Sequence, residues 1–271
     1  MNATSREQFQ STLARSKKIA VLTGAGVSAE SGIPTFRGAG GLWRRYEATS
    51  LASPDAWQRD PGLVWEFYNH RRERALGCSP NPAHRALVRL EDQLRDAGRA
   101  FTLITQNVDG LHERARSRNV VRLHGSLWEV RCLSCARVTE NRDVPIAPAF
   151  AGSGSPDPEA GGRRFTAAEL PRCPCGGVLR PHVVWFGEPL DARDVAAATA
   201  AVEGCDLLIV VGTSAVVYPA AGFVPMAKRR GARIAEVNVE PSAVTGLCDF
   251  VFTGSAGEIL PSLLDVAPAR A

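Results

Sequence analysis

The sequence predicts an α/β fold, a doubly wound Rossmann-like parallel sheet that carries a smaller inserted module and a helical insertion. Three observations lead there. First, Ile19–Thr23, Phe101–Thr105, Leu207–Val211 and Ile234–Asn238 are short, near-continuously apolar and rich in β-branched residues, the composition of strands covered by helices on both faces. Second, helix-like stretches such as Asn81–Ala97 and Asp191–Gly204 lie between them, and strand alternating with helix argues for parallel pairing. Third, two segments interrupt the alternation. Thr35–Cys78 carries Gly38, Gly40 and Gly41 followed by an aromatic-rich helical pattern, and Leu127–Arg180 holds paired cysteines and a Pro/Gly/Ser-rich run over Pro145–Arg163. Such a run makes flexible loops. The expected division is a sheet domain over 1–36, 79–126 and 181–271, a loop and helical insertion over 37–78, and a second module over 127–180.

Composition narrows the function. The 271 residues are 45% hydrophobic and 22% charged, with a net charge of +4, ordinary for a globule able to bury a core. Basic residues are scattered among acids, so charge offers no nucleic-acid surface. Met1–Lys18 mixes Arg6, Glu7 and Gln8 with few apolar residues and has no signal-peptide core. The most apolar stretch, Leu207–Val224, is broken by Gly212, Thr213, Ser214 and Pro219, so it reads as a buried strand with its loop, not a membrane span. The 7 cysteines without an export signal point to a reducing compartment, where clustered thiols more often hold metal than form disulfides. A cytoplasmic monomer with neither a nucleic-acid nor a membrane partner is the expectation.

Strand Ile19–Thr23 runs straight into Gly24–Gly32, with Ala29 at the third small position of a dinucleotide fingerprint. Gly24 permits the tight turn, and Gly26 lets backbone amides approach a pyrophosphate at a helix N-terminus. A plain strand–helix turn would carry the same glycines, but the strand-to-helix context favours the nucleotide. A dehydrogenase would next show a second strand ending in an acid about 20 residues on. Pro34–Gly38 stands there instead, which disfavours hydride transfer. Gln106–Asp109, Gly212–Ser214 and Asn238–Glu240 end the other strands, and ligands bind such sheets at that carboxyl edge.

Cys132 and Cys135, then Cys173 and Cys175 across the flexible run, have the paired spacing of an all-cysteine zinc site. Four thiolates would close the shell around one structural Zn2+ per chain, so the inserted module is read as zinc-binding. The second pair is C-x-C, tighter than usual, which leaves open whether both Cys173 and Cys175 are ligands. Cys78, Cys205 and Cys248 read as packed bystanders.

Gly24–Arg37, Thr105–His112, Leu123–Ser126, Val183–Glu188, Gly212–Ser214, Asn238–Glu240 and the cysteine pairs together resemble the sirtuin family. The resemblance runs over about residues 18–260. It implies an NAD-dependent protein-lysine deacylase, in which NAD and an acyl-lysine protein or peptide meet between the sheet domain and the zinc module. NAD is then consumed, releasing nicotinamide and O-acyl-ADP-ribose. The resemblance makes His124 the general base, in keeping with an imidazole that titrates near neutrality. It implies NAD contacts from Gly24, Ala25, Gly26, Ser28, Glu30, Gln106, Asn107, Val108, Asp109, Gly212, Thr213, Ser214, Asn238, Val239, Glu240 and Ala256. Asn107 and Asp109 would position the nicotinamide end, with Phe36 and Arg37 on a covering loop. Val184, Trp185, Phe186 and Gly187, reached from a strand read over Val183–Phe186, would pair with the substrate backbone.

Tyr68 and Arg71 stand three apart on one helix face. On residues alone they fit a solvated basic face, since Arg72 and Arg74 adjoin. The Tyr-x-x-Arg pair also resembles the sirtuin branch that removes succinyl, malonyl and glutaryl groups, where a guanidinium fork meets a carboxylate. Two rival functions are a mono-ADP-ribosyltransferase on the same scaffold and a non-catalytic zinc-ribbon regulator binding nucleic acid. The scattered arginines of Leu127–Arg180 speak against the second.

Overall fold

The computed structural model describes residues 3–35, 42–159 and 163–265. Its main sheet has six parallel strands: β1 (Lys18–Thr23), β4 (Ala100–Thr105), β5 (Val120–Arg122), β9 (Leu207–Val211), β10 (Arg233–Asn238) and β11 (Phe250–Thr253), in the order β11-β10-β9-β1-β4-β5. The order reverses at β1, which pairs with β4 on one side and β9 on the other. A doubly wound sheet opens its crevice at that switch point.

Alternate residues of each strand face opposite ways, and the two faces build separate cores. Ile19, Val21, Leu103, Leu207 and Ile209 pack against α1 (Ala3–Arg15), α6 (Pro82–Asp96) and α10 (Ala256–Leu263). Ala20, Leu22, Ile104, Leu208 and Val210 pack against α8 (Ala192–Gly204) and α9 (Phe223–Arg229). Both faces are covered, hence the unbroken apolar runs. The helices begin where capping chemistry allows. Asn81 accepts from the backbone of Ala83 and His84 ahead of Pro82, and Asp191 accepts from Arg193 N.

A second lobe grows from the segments that interrupt the alternation. It contains the short hairpin β2 (Leu42–Trp43) and β3 (Tyr46–Glu47), then α3 (Ala48–Leu51), α4 (Pro54–Arg59) and α5 (Pro61–Gly77). It also holds an antiparallel sheet of β6 (Gly125–Cys132), β7 (Val138–Glu140) and β8 (Leu179–Val183), ordered β7-β6-β8. Val64, Trp65, Phe67, Tyr68, Leu127, Trp128 and Trp185 share its core. The short helices α2 (Gly26–Ala29) and α7 (Leu111–Arg114) follow β1 and β4. Among the described residues no helix is long and apolar enough to cross a membrane.

The strand read over Val183–Phe186 is displaced. Pairing ends at Val183, and 184–187 form a turn in which Val184 N donates to His124 O at 3.0 Å and Phe186 N to Ala52 O at 2.9 Å. Trp185 is apolar and buried because it packs on side chains, not because a strand pairs there.

Candidate active site

The loops that follow β1, β4, β5, β9 and β10 all leave the same edge of the parallel sheet. The glycines of the first loop act through packing. Gly24 N donates to Val211 O and Gly26 N to Gly212 O, at 3.1 and 2.8 Å. A Cβ on Gly26 would lie 2.8 Å from Gly212 Cα. Gly26 therefore lets the β1 and β9 loops touch, with its own amide donated to the Gly212 carbonyl. The helix that follows has 4 residues, too short to carry much dipole.

Beneath this edge lies a buried polar network. Asn107 Nδ2 donates to Gly24 O at 3.1 Å and to Ser28 Oγ at 3.2 Å, and Ser28 Oγ donates to Asp109 Oδ2 at 2.8 Å. Leu111 N also donates to Asp109, through Oδ1 at 2.8 Å. Burial pushes the Asp109 carboxyl pKa up against those hydrogen bonds and the Arg71 charge, which pull it down. His84 and His112 pack against each other below, their rings tilted by 54° with centroids 4.8 Å apart. His112 Nε2 lies 3.1 Å from Thr23 Oγ1, and His84 Nε2 lies 3.5 Å from Ser28 Oγ. Burial holds both rings neutral, with His84 down at about 4. The tie of these two histidines to Ser28 and Thr23 joins residues far apart in the chain and leaves no local signal in the sequence.

His124 occupies the crossing between the two sheets, just after β5 and before β6. Gly125 makes the crossing possible: its φ is +75°, and a Cβ there would lie 2.2 Å from His182 O. His124 Nδ1 is 3.0 Å from Gln106 O. A carbonyl only accepts, so Nδ1 carries the proton and Nε2 is left as an acceptor. No hydrogen bond reaches Nε2 among the described residues. Burial lowers the ring's pKa from its ordinary value, opposed by the Gln106 carbonyl.

The other sequence-derived positions sit as follows. Gln106 Nε2 donates to Thr213 Oγ1 at 3.0 Å and Asn238 Nδ2 to Thr213 O at 3.0 Å, tying three loop ends together. Ala25 and Ser214 are half-buried beside them, Val108 is buried, and Val239 and Glu240 are exposed beyond Asn238. Glu30 reaches the start of α10 instead, accepting from Gly257 N at 2.6 Å and Ser255 Oγ at 3.1 Å, next to buried Ala256. Phe36 and Arg37 lie outside the described residues. An open depression of about 790 Å3 lined by Glu7, Arg15, Asp206 and Arg233 lies at the opposite, amino edge of the sheet. None of the converging residues borders it.

On α5, Tyr68 is buried, and its hydroxyl accepts from Trp185 Nε1 at 3.0 Å. Arg71, one turn on, is half-buried, with its guanidinium 5.5 Å from the Phe67 ring centroid. Burial lowers the Arg71 pKa, while Tyr68 and Asp109 raise it. Arg71 therefore lies within electrostatic reach of both the tyrosine and the buried aspartate. Val184, Phe186 and Gly187 form the turn beside Trp185, with Phe186 47% exposed.

The four cysteines converge. The Sγ atoms of Cys132, Cys135, Cys173 and Cys175 all lie within 4.8 Å of one another, with Cys132–Cys175 at 3.5 Å and Cys135–Cys173 at 3.8 Å. Zinc–sulfur bonds of about 2.3 Å place tetrahedral sulfurs about 3.8 Å apart, so the cluster fits zinc and uses both cysteines of the C-x-C pair. Ser134 N and Cys135 N donate to Cys132 Sγ at 3.4 and 3.5 Å, further stabilising a thiolate. Cys78, Cys205 and Cys248 stand apart.

The signature of the Sir2 family matches residues 24–219, a span that includes the nucleotide-binding turn, His124 and all four clustered cysteines. The chain belongs to the Sir2 family. An "NAD-dependent protein deacylase" of Daphnia pulex is 51% identical over 95% of each chain. The "NAD-dependent protein deacylase sirtuin-5, mitochondrial" of Canis lupus familiaris is 51% identical over 94% of this chain and 84% of that protein. Among solved structures, a Sir2 homolog–NAD complex superposes with a TM-score of 0.81 at 44% identity, covering 95% of this chain and 92% of that one. A Sir2 complex with a p53 peptide and NAD+ reaches 0.77 at 28% identity, covering 96% and 97%.

Proposed function

We propose that this Sir2-family chain removes acyl groups that end in a carboxylate, succinyl, malonyl and glutaryl, from protein lysine, with acetyl a poorer substrate. The coarser activity is carried by the family match and by deacylase relatives at 51% identity: the chain is an NAD-dependent protein deacylase. The acyl preference is supported by one observation in particular. Arg71 and Tyr68 share a helix face, Tyr68 buried and Arg71 half-buried, and Arg71 lies within electrostatic reach of Asp109 in the site. A carboxylate entering a dehydrated channel must meet a partner charge, and a guanidinium with a phenol one turn away supplies a matched set of donors.

In this reading the domain over 1–36, 79–126 and 181–271 binds NAD, and the 127–180 module with 37–78 completes the cleft. NAD, once bound, would supply a ribose carbon electrophilic enough for the acyl oxygen to displace nicotinamide, and water would then release the free lysine. His124 Nε2 accepts the ribose hydroxyl proton, because its Nδ1–H is already given to Gln106 O. Asn107 and Asp109, locked through Ser28, hold the nicotinamide end. Gly24, Gly26, Gln106, Thr213, Ser214, Asn238 and Glu240 line the remainder of the NAD cleft, while the 184–187 turn borders the peptide. The zinc site holds the module together and takes no part in the chemistry, since four thiolates leave no open position. Action as a monomer in the cytoplasm belongs to the same proposal and is tested by light scattering and by subcellular fractionation.

Mass spectrometry of a reaction containing NAD and a succinyl-lysine peptide tests it. The expected products are free lysine peptide, nicotinamide and O-succinyl-ADP-ribose. A protein or peptide gaining the mass of ADP-ribose, with the acyl group intact, would establish ADP-ribosyl transfer instead.

A further inference from the structure

Trp185 lies in the turn that borders the peptide, yet its side chain is 2% exposed and sits in the core of the second lobe. Its indole Nε1 donates to Tyr68 Oη at 3.0 Å. The direction of that bond is not negotiable, because an indole nitrogen can donate and never accept. The Tyr68 oxygen is therefore the acceptor, and its own proton must point elsewhere. No other hydrogen bond reaches Tyr68 Oη among the described residues.

Trp185 is itself clamped from two directions. Arg180 lies over the indole face at 3.5 Å from the centroid. Glu188 holds Arg180 in a two-pronged grip at 2.6 and 2.9 Å, and the same carboxylate accepts Trp185 N at 3.0 Å. Trp57 packs on the ring at 5.6 Å. A cation on an indole face draws on the ring's π density. That strengthens the N–H as a donor, and chained hydrogen bonds polarise one another. Burial keeps the Tyr68 phenol protonated in spite of nearby Arg71.

We propose that Trp185, braced by Arg180 and Glu188, is the positioning residue that makes the Tyr68 hydroxyl a one-way donor for the carboxylate of the acyl group. A free phenol can donate or accept; a carboxylate accepts only, so half of the phenol's repertoire is useless to it. The indole occupies the accepting side in advance and leaves the donating side for substrate. Neutral acetyl-lysine has no use for that proton. This inference rests on the reading of Tyr68 and Arg71 as the acyl-recognition pair.

The test is a double-mutant cycle read as the ratio of kcat/KM on succinyl- to acetyl-lysine in one peptide. Trp185→Phe should lower that ratio by about 3- to 10-fold, the scale of one hydrogen bond, chiefly through KM for the succinyl peptide. In the Tyr68→Phe background the same change should leave the ratio unmoved, because there is no hydroxyl left to orient. Trp185→Phe also removes volume, so 3-benzothienylalanine at position 185, which keeps the ring shape and lacks the N–H, provides the second variant and should act alike. Equal loss on both peptides would make Trp185 a packing residue and overturn the proposal. So would a fall in the ratio that persists undiminished without the Tyr68 hydroxyl. If Tyr68→Phe and Arg71→Met themselves leave the ratio untouched, the acyl-recognition reading and this inference fall together. If those two shift it and neither Trp185 variant does, only this inference fails.

Discussion

Replacing Arg71 with methionine keeps an unbranched stem and removes the guanidinium with its charge. The size of the effect follows from where the guanidinium sits. Burial is the largest influence on its pKa, and it is half-buried rather than sealed. Truncating one partner of a fully desolvated charged pair costs about 2–5 kcal/mol. Partial solvent access puts Arg71 in the lower part of that range, about 2–3 kcal/mol, or about 30- to 150-fold in affinity. The loss should appear as a raised KM for succinyl- and malonyl-lysine. Acetyl-lysine should lose much less, though not nothing, because Arg71 also holds down the pKa of Asp109 and its removal leaves that carboxyl more readily protonated. Steady-state kinetics on one peptide carrying each acyl group in turn measures both effects. A uniform loss across acyl groups would refute the reasoning, for Arg71 would then serve only to hold Asp109.

Other perturbations probe the remaining parts. His124→Ala should abolish acyl removal while binding of NAD, followed by calorimetry, stays near normal; substantial turnover would rule out Nε2 as the base. Cys173→Ser and Cys175→Ser should release zinc and lower Tm as severely as Cys132→Ser, because all four sulfurs share one cluster. Elemental analysis showing zinc retained after either C-x-C change would contradict this. His84 is neutral in the fold with its pKa at about 4, against about 6.5 in an unfolded chain. The unfolded state binds the extra proton, so this stability is present above pH of about 6.5 and lost as pH falls towards 4. Its size is about 3 kcal/mol, and denaturant melts of wild type and His84→Gln between those pH values should converge as the pH drops. A parallel pH dependence in both would remove the buried histidine as its cause.

Much of this was legible in the chain itself, for identifiable reasons. The central strands announced themselves because both faces are covered, so every residue of Leu207–Val211 is buried. Strand β11 gave no such signal: it is an edge strand of 4 residues with alternating burial, indistinguishable locally from a loop. Helix α1 was equally silent, since it is anchored mainly through Phe9, whose ring meets Phe250 and Phe252 more than two hundred residues away. The apolar run through Trp185 read as a strand, and side-chain stacking supplied the burial instead. Glu30 lies within a nucleotide-binding motif, yet it holds the start of α10, a contact between residues 227 apart. Cysteine spacing located the metal site but could not decide the C-x-C pair; the three-dimensional cluster of sulfurs did. What a motif cannot convey is direction, as with the His124 ring whose free nitrogen is set by the Gln106 carbonyl.

The most direct measurement of the central claim compares kcat/KM for one peptide bearing acetyl-, malonyl- and succinyl-lysine, with NAD present and O-acyl-ADP-ribose followed as product. The account predicts that the two carboxylate-bearing groups are removed at least about ten times more efficiently than acetyl, one unit of charge recognition by Arg71 being worth no less. Acetyl-lysine removed as well as or better than succinyl-lysine would contradict it.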